Sequence, residues 1–109
     1  MVKFVAMVRR KEGLDFAEFA RLWREEHAPL VLAMPGVRRY EQNLAHQGAT
    51  RDWPYDGVAE VWFDDKPALN AAFASPAGVA ANEHQTVFAG DVSWLLAEEQ
   101  VWEPEADHG

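Results

Sequence analysis

A histidine lies on the apolar stripe of a predicted helix, just before a proline. Counted along the chain, Phe19, Trp23, His27 and Leu30 recur at three- and four-residue steps, so the imidazole is predicted to point inward with the core side chains. Pro29 lacks a backbone donor and crowds the carbonyl four residues back, so we expect the regular helix to end or kink immediately after His27. A titratable ring beside aromatic side chains at such a break is where a small cavity can form.

Length and composition favour one small domain. The chain has 109 residues, 49% of them hydrophobic, which is enough for a core, although oligomerisation would help a chain of this size to bury apolar area. Cysteine is absent, which excludes disulfides, thiolate nucleophiles and cysteine-based metal sites. The apolar run at residues 1–10 is short and carries charges, unlike a signal peptide, and no stretch reaches membrane-spanning length. We therefore expect a cytoplasmic protein that does not enter a membrane.

The net charge of −8 is distributed unevenly. Residues 1–46 carry eight Lys and Arg against six Asp and Glu, whereas residues 47–109 carry two against twelve. The basic clusters at residues 9–11 and 38–39 are too small to follow a phosphate backbone, so nucleic acid is not an expected partner. One of these arginines near a pocket could still bind a carboxylate or phenolate.

Changes of periodicity along the chain predict four strands and three helical segments. The strands are expected at residues 2–9, 37–46, 58–63 and 92–102, with a loop at 47–57. Helices are expected from Asp15, from the Asp64–Pro67 entry signal, and from Ser75 to about Ala89. For the last helix, the candidates for the inner face are Val79, Ala80, Glu83 or His84, Val87 and Phe88.

The resulting order β-α-β-β-α-β is the split-βαβ, ferredoxin-like arrangement of the α+β class. Helices on one face of a four-stranded antiparallel sheet would leave the other face exposed, yet the first and third strands are apolar on both parities. We therefore expect a homodimer in which the free faces of two sheets pack together. Residues 1–102 are predicted to form this domain, and residues 103–109 an acidic C-terminal tail.

Three sequence motifs resemble those of the EthD family of dimeric α+β-barrel proteins. They are W-R-E-E-H-A-P-L-V at 23–31, M-P-G-V-R-R-Y-x-Q-N at 34–43 and Y-D-G-V-A-E-V-W-F at 55–63, and the resemblance covers roughly residues 1–100. It implies that two sheets form one barrel across a dimer. Its relatives include a protein associated with ether degradation, lactone isomerases, and enzymes similar to decarboxylases, dehydratases and cyclases of aromatic polyketides.

Three residues are candidate catalytic groups: His27, Tyr40 and His84. An unperturbed histidine pKa of about 6.5 would let His27 move a proton near neutrality; the alternative is a core histidine bonded to a backbone carbonyl or to Tyr40. Tyr40 shares its strand parity with Gln42, Leu44 and His46, and we expect that polar-rich face to be the cavity wall. His84 is either a pocket residue or an exposed helical one.

A second set is predicted to bind substrate. The amide of Asn43 could polarise a carbonyl, or could cap a strand or bond across a dimer. Glu60 would be a carboxylate on an apolar strand face, which requires a partner, with Arg39 as a candidate, or a raised pKa. The tryptophans should mostly serve core and dimer packing, with a minority lining a site for a flat aromatic ligand. The full set is Trp23, Asn43, His46, Glu60, Trp62, Phe73 and Phe88.

The sequence predicts chemistry without a cofactor. No histidine pair has metal-ligand spacing, and there is no phosphate-binding glycine loop, serine nucleophile motif or dinucleotide fingerprint. The leading hypothesis is an acid/base enzyme on a small aromatic, polyketide-like or lactone substrate, of the cyclase, dehydratase, decarboxylase or isomerase type, with His27 moving the proton. The alternatives are a cofactor-free oxygenase of an activated aromatic, and a non-catalytic ligand-binding or accessory protein of a degradation or biosynthetic pathway.

Overall fold

A computed structural model describes residues 1–48 and 52–105. Its strands are β1 (Val2–Arg10), β2 (Arg39–Leu44), β3 (Gly57–Phe63) and β4 (Ala89–Glu98), which form one antiparallel sheet in the order β2-β3-β1-β4. Its helices are α1 (Phe16–Arg21), α2 (Ala28–Leu32), α3 (Lys66–Ala74) and α4 (Pro76–His84). This topology confirms the predicted ferredoxin-like α+β fold with a four-stranded antiparallel sheet.

The helices cover one face of the sheet, which we call the helix face. Phe4, Ala6 and Val8 of β1 lie on it, and the strand register places Ala59 and Val61 of β3 beside them. Phe19 and Phe88 pack onto this face from the helical layer, and both are almost completely buried. The core therefore lies between helices and sheet, where the even-numbered residues of β1 point.

The other side of the sheet, which we call the open face, carries Val5, Met7, Val58, Trp62 and Leu95 by the same alternation. Leu95 is 48% exposed, whereas Trp62 is buried beneath charged neighbours, with the Lys3 ammonium 5.1 Å from its ring centroid. Apolar residues at the centre of this face explain why β1 and β3 are apolar on both parities.

Side-chain caps start three of the helices where the sequence predicts. The Asp15 carboxylate accepts a bond from the Glu18 amide before α1, Asp65 accepts from the Ala68 amide before α3, and Ser75 accepts from the Gly78 amide before α4. The reciprocal half of the Asp15 capping box does not form, because the Glu18 carboxylate binds Arg21 instead.

The break expected after His27 takes the form of a π-helical segment, Leu22–His27, between α1 and α2. The Ala28 amide donates to the Trp23 carbonyl, five residues back, and the wider turn accommodates Pro29, which has no amide hydrogen to donate. The helix therefore continues to Leu32: of the two expected outcomes, an end or a kink, the structure shows a disturbed helix that does not end. The changed phase buries Val31, where a regular helix would have buried Leu30.

The C-terminal half of the chain differs from the prediction in its boundaries. The helix after Ser75 ends at His84 and continues only as a 3-10 turn, Gln85–Val87. Strand β4 begins at Ala89, which pairs with Arg10, and ends at Glu98 rather than at 102. Trp102 is 87% exposed beyond it. The proposed division at residue 102 stays a prediction, and residues 106–109 of the tail, with His108, lie outside the described residues.

The predicted inner face of α4 was wrong at Val79, Ala80 and Val87, which are exposed. Gly78 and Ala81 are buried instead, because α4 packs tightly against α3: a Cβ atom added at Gly78 would lie 2.2 Å from the Ala72 carbonyl oxygen. Only a residue without a side chain allows this approach of the two helices.

The tryptophans were expected to serve mostly core and dimer packing. Trp23 and Trp62 are buried within this chain, whereas Trp53, Trp94 and Trp102 are exposed in it. In the described residues, no helix has the length and apolar character needed to cross a membrane.

Candidate functional site

A small apolar cavity of about 40 Å³ lies between the helix face of the sheet and the helical layer. The sheet contributes its floor, the π-helical segment and α2 one wall, and α3, α4 and the 3-10 turn the other. The residues that line it are Phe4, Ala6, Val8, Trp23, His27, Val31, Met34, Tyr40, Ala59, Val61, Phe73, Ala81, Asn82, Gln85 and Phe88.

His27 ends the π-helical segment and is 5% exposed, the one charged or polar residue in the buried core of the described chain. The Phe88 ring meets it edge-on with centroids 4.8 Å apart. Burial, followed by the effect of nearby His84, lowers the pKa of His27 to about 4. The ring is therefore neutral at neutral pH, with one nitrogen free to accept a proton.

The two ring nitrogens of His27 have different surroundings. Nδ1 lies 3.1 Å from Nδ1 of His84. Nε2 makes no hydrogen bond with any described residue. In residues 1–48 and 52–105, every side-chain nitrogen or oxygen that is fully buried has a hydrogen-bond partner. Nε2 therefore retains accessible surface, and His27 is one of the residues that line the cavity.

Tyr40 and Gln42 lie on the helix face of β2, as their shared parity predicts. The Gln42 amide nitrogen donates to the Tyr40 hydroxyl at 2.9 Å and to the Trp23 carbonyl at 2.8 Å. Burial raises the pKa of Tyr40 to about 12, so its phenol stays protonated. The Tyr40 oxygen accepts this bond from Gln42, so the hydroxyl hydrogen is not used in it.

His84, at the end of α4, reaches His27 but is not among the residues that line the cavity. Its Nε2 lies 3.6 Å from a carboxylate oxygen of Glu26. The structure thus brings together the three predicted catalytic candidates. His27 and Tyr40 line the cavity, and His84 contacts His27 from outside it.

Among the predicted substrate-binding residues, Trp23, Phe73 and Phe88 line the cavity. The structure places Asn43, Glu60 and Trp62 on the open face, since they have the opposite parity. Glu60 is paired with Lys3 at 2.8 Å, not with Arg39, which binds Glu41. The Asn43 amide donates to the Val58 carbonyl, and the Trp62 indole donates to Glu99.

His46 also lies away from the cavity and is exposed. Strand β2 ends at Leu44, so the alternation that would have turned His46 inward stops before it. Its predicted place on the cavity wall was therefore wrong for a local reason, the shorter strand.

The sequence placed Gln42 on the expected cavity wall without a chemical role, and it did not indicate two polar residues that line the cavity, Asn82 and Gln85. Gln42 shares the parity of Tyr40, which is the signal that points to it. Asn82 and Gln85 contribute the polar part of the α4 wall, and they lie three residues apart, on one helical edge with Phe88. The described residues contain no group of three histidine, aspartate or glutamate side chains placed to hold a metal ion.

The chain was compared with protein families and with known proteins. The EthD domain model matches residues 11–91. A relative, an uncharacterized 11.0 kDa protein in the thcB-thcC intergenic region of Rhodococcus erythropolis, is 30% identical over 88 residues, covering 80% of this chain and 85% of the relative.

Solved structures share the fold. An EthD family protein from Bacillus halodurans C-125 has 26% identity and a TM-score of 0.80, covering 92% of this chain and 99% of that one. SnoaB from Streptomyces nogalater, a cofactor-independent oxygenase, has 19% identity and a TM-score of 0.70 over 95% and 97% of the two chains. A dimeric ferredoxin-like protein of unknown function from Thermobifida fusca has 16% identity and a TM-score of 0.71 over 88% of each.

The family model spans both the π-helical segment that carries His27 and the wall formed by α4. Together with the fold and the sequence identity of the relative, this match shows that the chain belongs to the EthD family.

Proposed function

We propose that the protein is a cofactor-independent acid/base enzyme that acts on a small aromatic, polyketide-like or lactone substrate, with His27 as the proton-transfer group. The observation that carries the proposal is the neutral, buried imidazole of His27 at an apolar cavity that Tyr40 also lines, with Nε2 of His27 making no hydrogen bond with any described residue.

The chemistry of these two groups is complementary. A neutral imidazole accepts a proton from a carbon or oxygen acid, and a protonated phenol stabilises the oxyanion that forms beside it. Cyclisation of the aldol type, dehydration, decarboxylation and lactone isomerisation all move a proton next to a carbonyl, so this pair serves each of them. His84, hydrogen-bonded to His27, is the third member of the proposed site.

The surroundings support a flat, largely carbon substrate. A cavity of 40 Å³ admits water but not an aromatic ring, whereas a groove of about 480 Å³ continues from it and shares Phe4, Phe73, Asn82 and Gln85 with it. Trp94 and Leu96 of β4 form the outer part of this groove. The substrate would lie along the groove and place its reacting carbonyl at His27, after the Phe4 and Phe73 rings, 4.9 Å apart, separate.

We further propose that the protein is a homodimer formed through the open face of the sheet. Val5, Met7 and Leu95 on that face would be covered in such an assembly, and the structural neighbour from Thermobifida fusca is described as dimeric. Asn43, Glu60 and Trp62 would then serve the interface rather than the substrate.

A cofactor-free oxygenase is the second candidate function. It is supported by the apolar, aromatic lining of the cavity and by the shared fold of SnoaB. In this reaction His27 would remove a phenolic proton, and the substrate anion would then react with molecular oxygen.

Solvent deuterium exchange tests the proposed function. The protein is incubated in D₂O with 1,3-dicarbonyl compounds, acyl phenols and unsaturated lactones, and exchange at carbon is followed by NMR together with oxygen uptake. Enzyme-accelerated exchange that His27→Gln abolishes is the expected result. Oxygen uptake lost in the same variant would favour the oxygenase. Equal acceleration by both proteins would remove His27 from the mechanism, and no acceleration by either would favour a non-catalytic binding or accessory protein.

A further inference from the structure

A charged residue lies behind the two histidines. Glu26 directly precedes His27 in the π-helical segment, and its side chain is 47% exposed. One carboxylate oxygen, Oε1, lies 3.6 Å from Nε2 of His84, while Oε2 lies 3.6 Å from Arg21. The order Glu26, His84, His27 thus leads from solvent to the cavity.

The geometry of the two rings favours a true hydrogen bond between them. Their planes are inclined by only 14°, and their centroids are 5.3 Å apart although the Nδ1 atoms are 3.1 Å apart. The rings therefore lie edge to edge in nearly one plane, with the two nitrogens facing each other. Such a bond holds one proton, so one Nδ1 must donate and the other accept.

We propose that Glu26 is a positioning residue that keeps the proton of His84 on Nε2 and thereby fixes His27 with its proton on Nδ1 and a bare Nε2 toward the cavity. At 3.6 Å the contact is longer than a hydrogen bond, but the negative charge of the carboxylate still favours an N–H over a lone pair at the His84 nitrogen that faces it. Neutral His84 then has a bare Nδ1, and His27 must supply the shared proton.

The same arrangement moves charge away from the buried ring. This step rests on the proposed function. As Nε2 of His27 takes a proton from the substrate, the proton on its Nδ1 passes to Nδ1 of His84. His27 ends neutral, and His84 becomes an imidazolium with its Nε2 proton beside the Glu26 carboxylate. The positive charge thus comes to rest next to a carboxylate at the surface, where it costs less than in the apolar cavity.

The charged and titratable groups around these residues come from α1, the π-helical segment and the sheet. Arg21 holds the second oxygen of Glu26 and also binds Glu18 and Glu25. Tyr40 is the titratable group on the sheet side of the cavity, and it stays protonated. Glu25 therefore offers a matched control, because it contacts the same arginine at 3.5 Å but has no contact with His84 among the described residues.

The tautomers are read directly from ¹⁵N–¹H correlations of the histidine rings in the ligand-free protein, with assignments from His27→Gln and His84→Gln. The expected result is His84 protonated on Nε2 and His27 on Nδ1. Glu26→Ala should shift His27 toward the Nε2-protonated form, and Glu25→Ala should not. A wild-type His27 protonated on Nε2, or tautomers unchanged in Glu26→Ala, would overturn the inference.

His84→Gln separates positioning from proton transfer, since a glutamine oxygen accepts the His27 proton in a hydrogen bond but cannot keep it. We expect this variant to retain the His27 tautomer and to lose roughly tenfold or more of the exchange rate. A full exchange rate would overturn the transfer step. Full activity of His27→Gln would instead overturn the proposed function, while the ligand-free tautomer result would stand.

Discussion

The amide nitrogen of Gln42 lies 2.8 Å from the carbonyl oxygen of Trp23, which ties strand β2 to the π-helical segment. The same nitrogen bonds to the Tyr40 hydroxyl. One side chain therefore sets the position of the phenol relative to the helix that carries His27.

Replacing Gln42 by alanine should destabilise the fold and disturb the site together. The Trp23 carbonyl and the Tyr40 oxygen would both lose a donor, which costs roughly 1–3 kcal/mol in unfolding free energy. Urea unfolding measures this loss. Asn43→Ala, on the open face, is the control and should leave a ligand's affinity for the cavity unchanged. Equal effects of the two variants on that affinity would argue against the role given to Gln42.

Gly57 on β3 should tolerate no side chain while Trp23 is present. A Cβ atom there would lie 2.6 and 2.7 Å from two carbons of the Trp23 ring, so Gly57→Ala should cost roughly 1–3 kcal/mol through overpacking. Trp23→Phe removes those ring carbons, and the cost of the alanine should shrink in that background. A double-mutant cycle with no coupling would show that the contact is not the cause.

Acid should weaken the fold through His27. The unfolded ring binds a proton below its ordinary pKa of about 6.5, whereas the folded ring remains neutral until about pH 4. Stability from this residue is therefore complete above pH 6.5 and falls as the pH drops toward 4, by roughly 3 kcal/mol in all. Urea unfolding of the wild type and His27→Gln between these pH values isolates the contribution, and parallel pH profiles would contradict it.

The dimer proposal predicts different results for two neighbouring leucines of β4. Leu95 lies on the open face and Leu96 on the helix face, in the outer groove. A charge at the interface should separate the subunits, so Leu95→Lys should reduce the mass seen by light scattering from twice the chain mass to 12.3 kDa. Leu96→Lys should remain a dimer. A folded wild-type monomer at micromolar concentration would refute the proposal.

The topology could be predicted from the sequence because its strands show a two-residue hydrophobic period and its helices a period of about 3.6 residues. Alternation placed Tyr40 and Gln42 on one face correctly, and helical spacing turned Trp23 and His27 inward. The π-helical segment could not be read from the pattern, because Pro29 signals a disturbance without saying whether the backbone stops or widens. That choice depends on the contacts of the whole helix with the sheet.

The site was predicted less completely than the fold. Strand alternation places Glu60 and Trp62 on the same face of the sheet. Which of the two faces the helices cover is known only from the folded topology. His46 was misplaced because strand ends are poorly marked in sequence. No role for Glu26 follows from the sequence, since its importance depends on His84, which is distant in the chain and close in space.

The central claim is that neutral His27 removes a proton from a substrate in the cavity, and the pH profile of catalysed carbon-acid exchange tests it most directly. We expect kcat/KM to fall on acidification as the hydrogen-bonded pair of His27 and His84 takes up a proton, because the protonated pair has lost its acceptor for the substrate proton. His27→Gln, folded by circular dichroism, should lose roughly two to four powers of ten in rate. A His27→Gln protein that exchanges substrate at the wild-type rate, with the same pH profile, would contradict the claim.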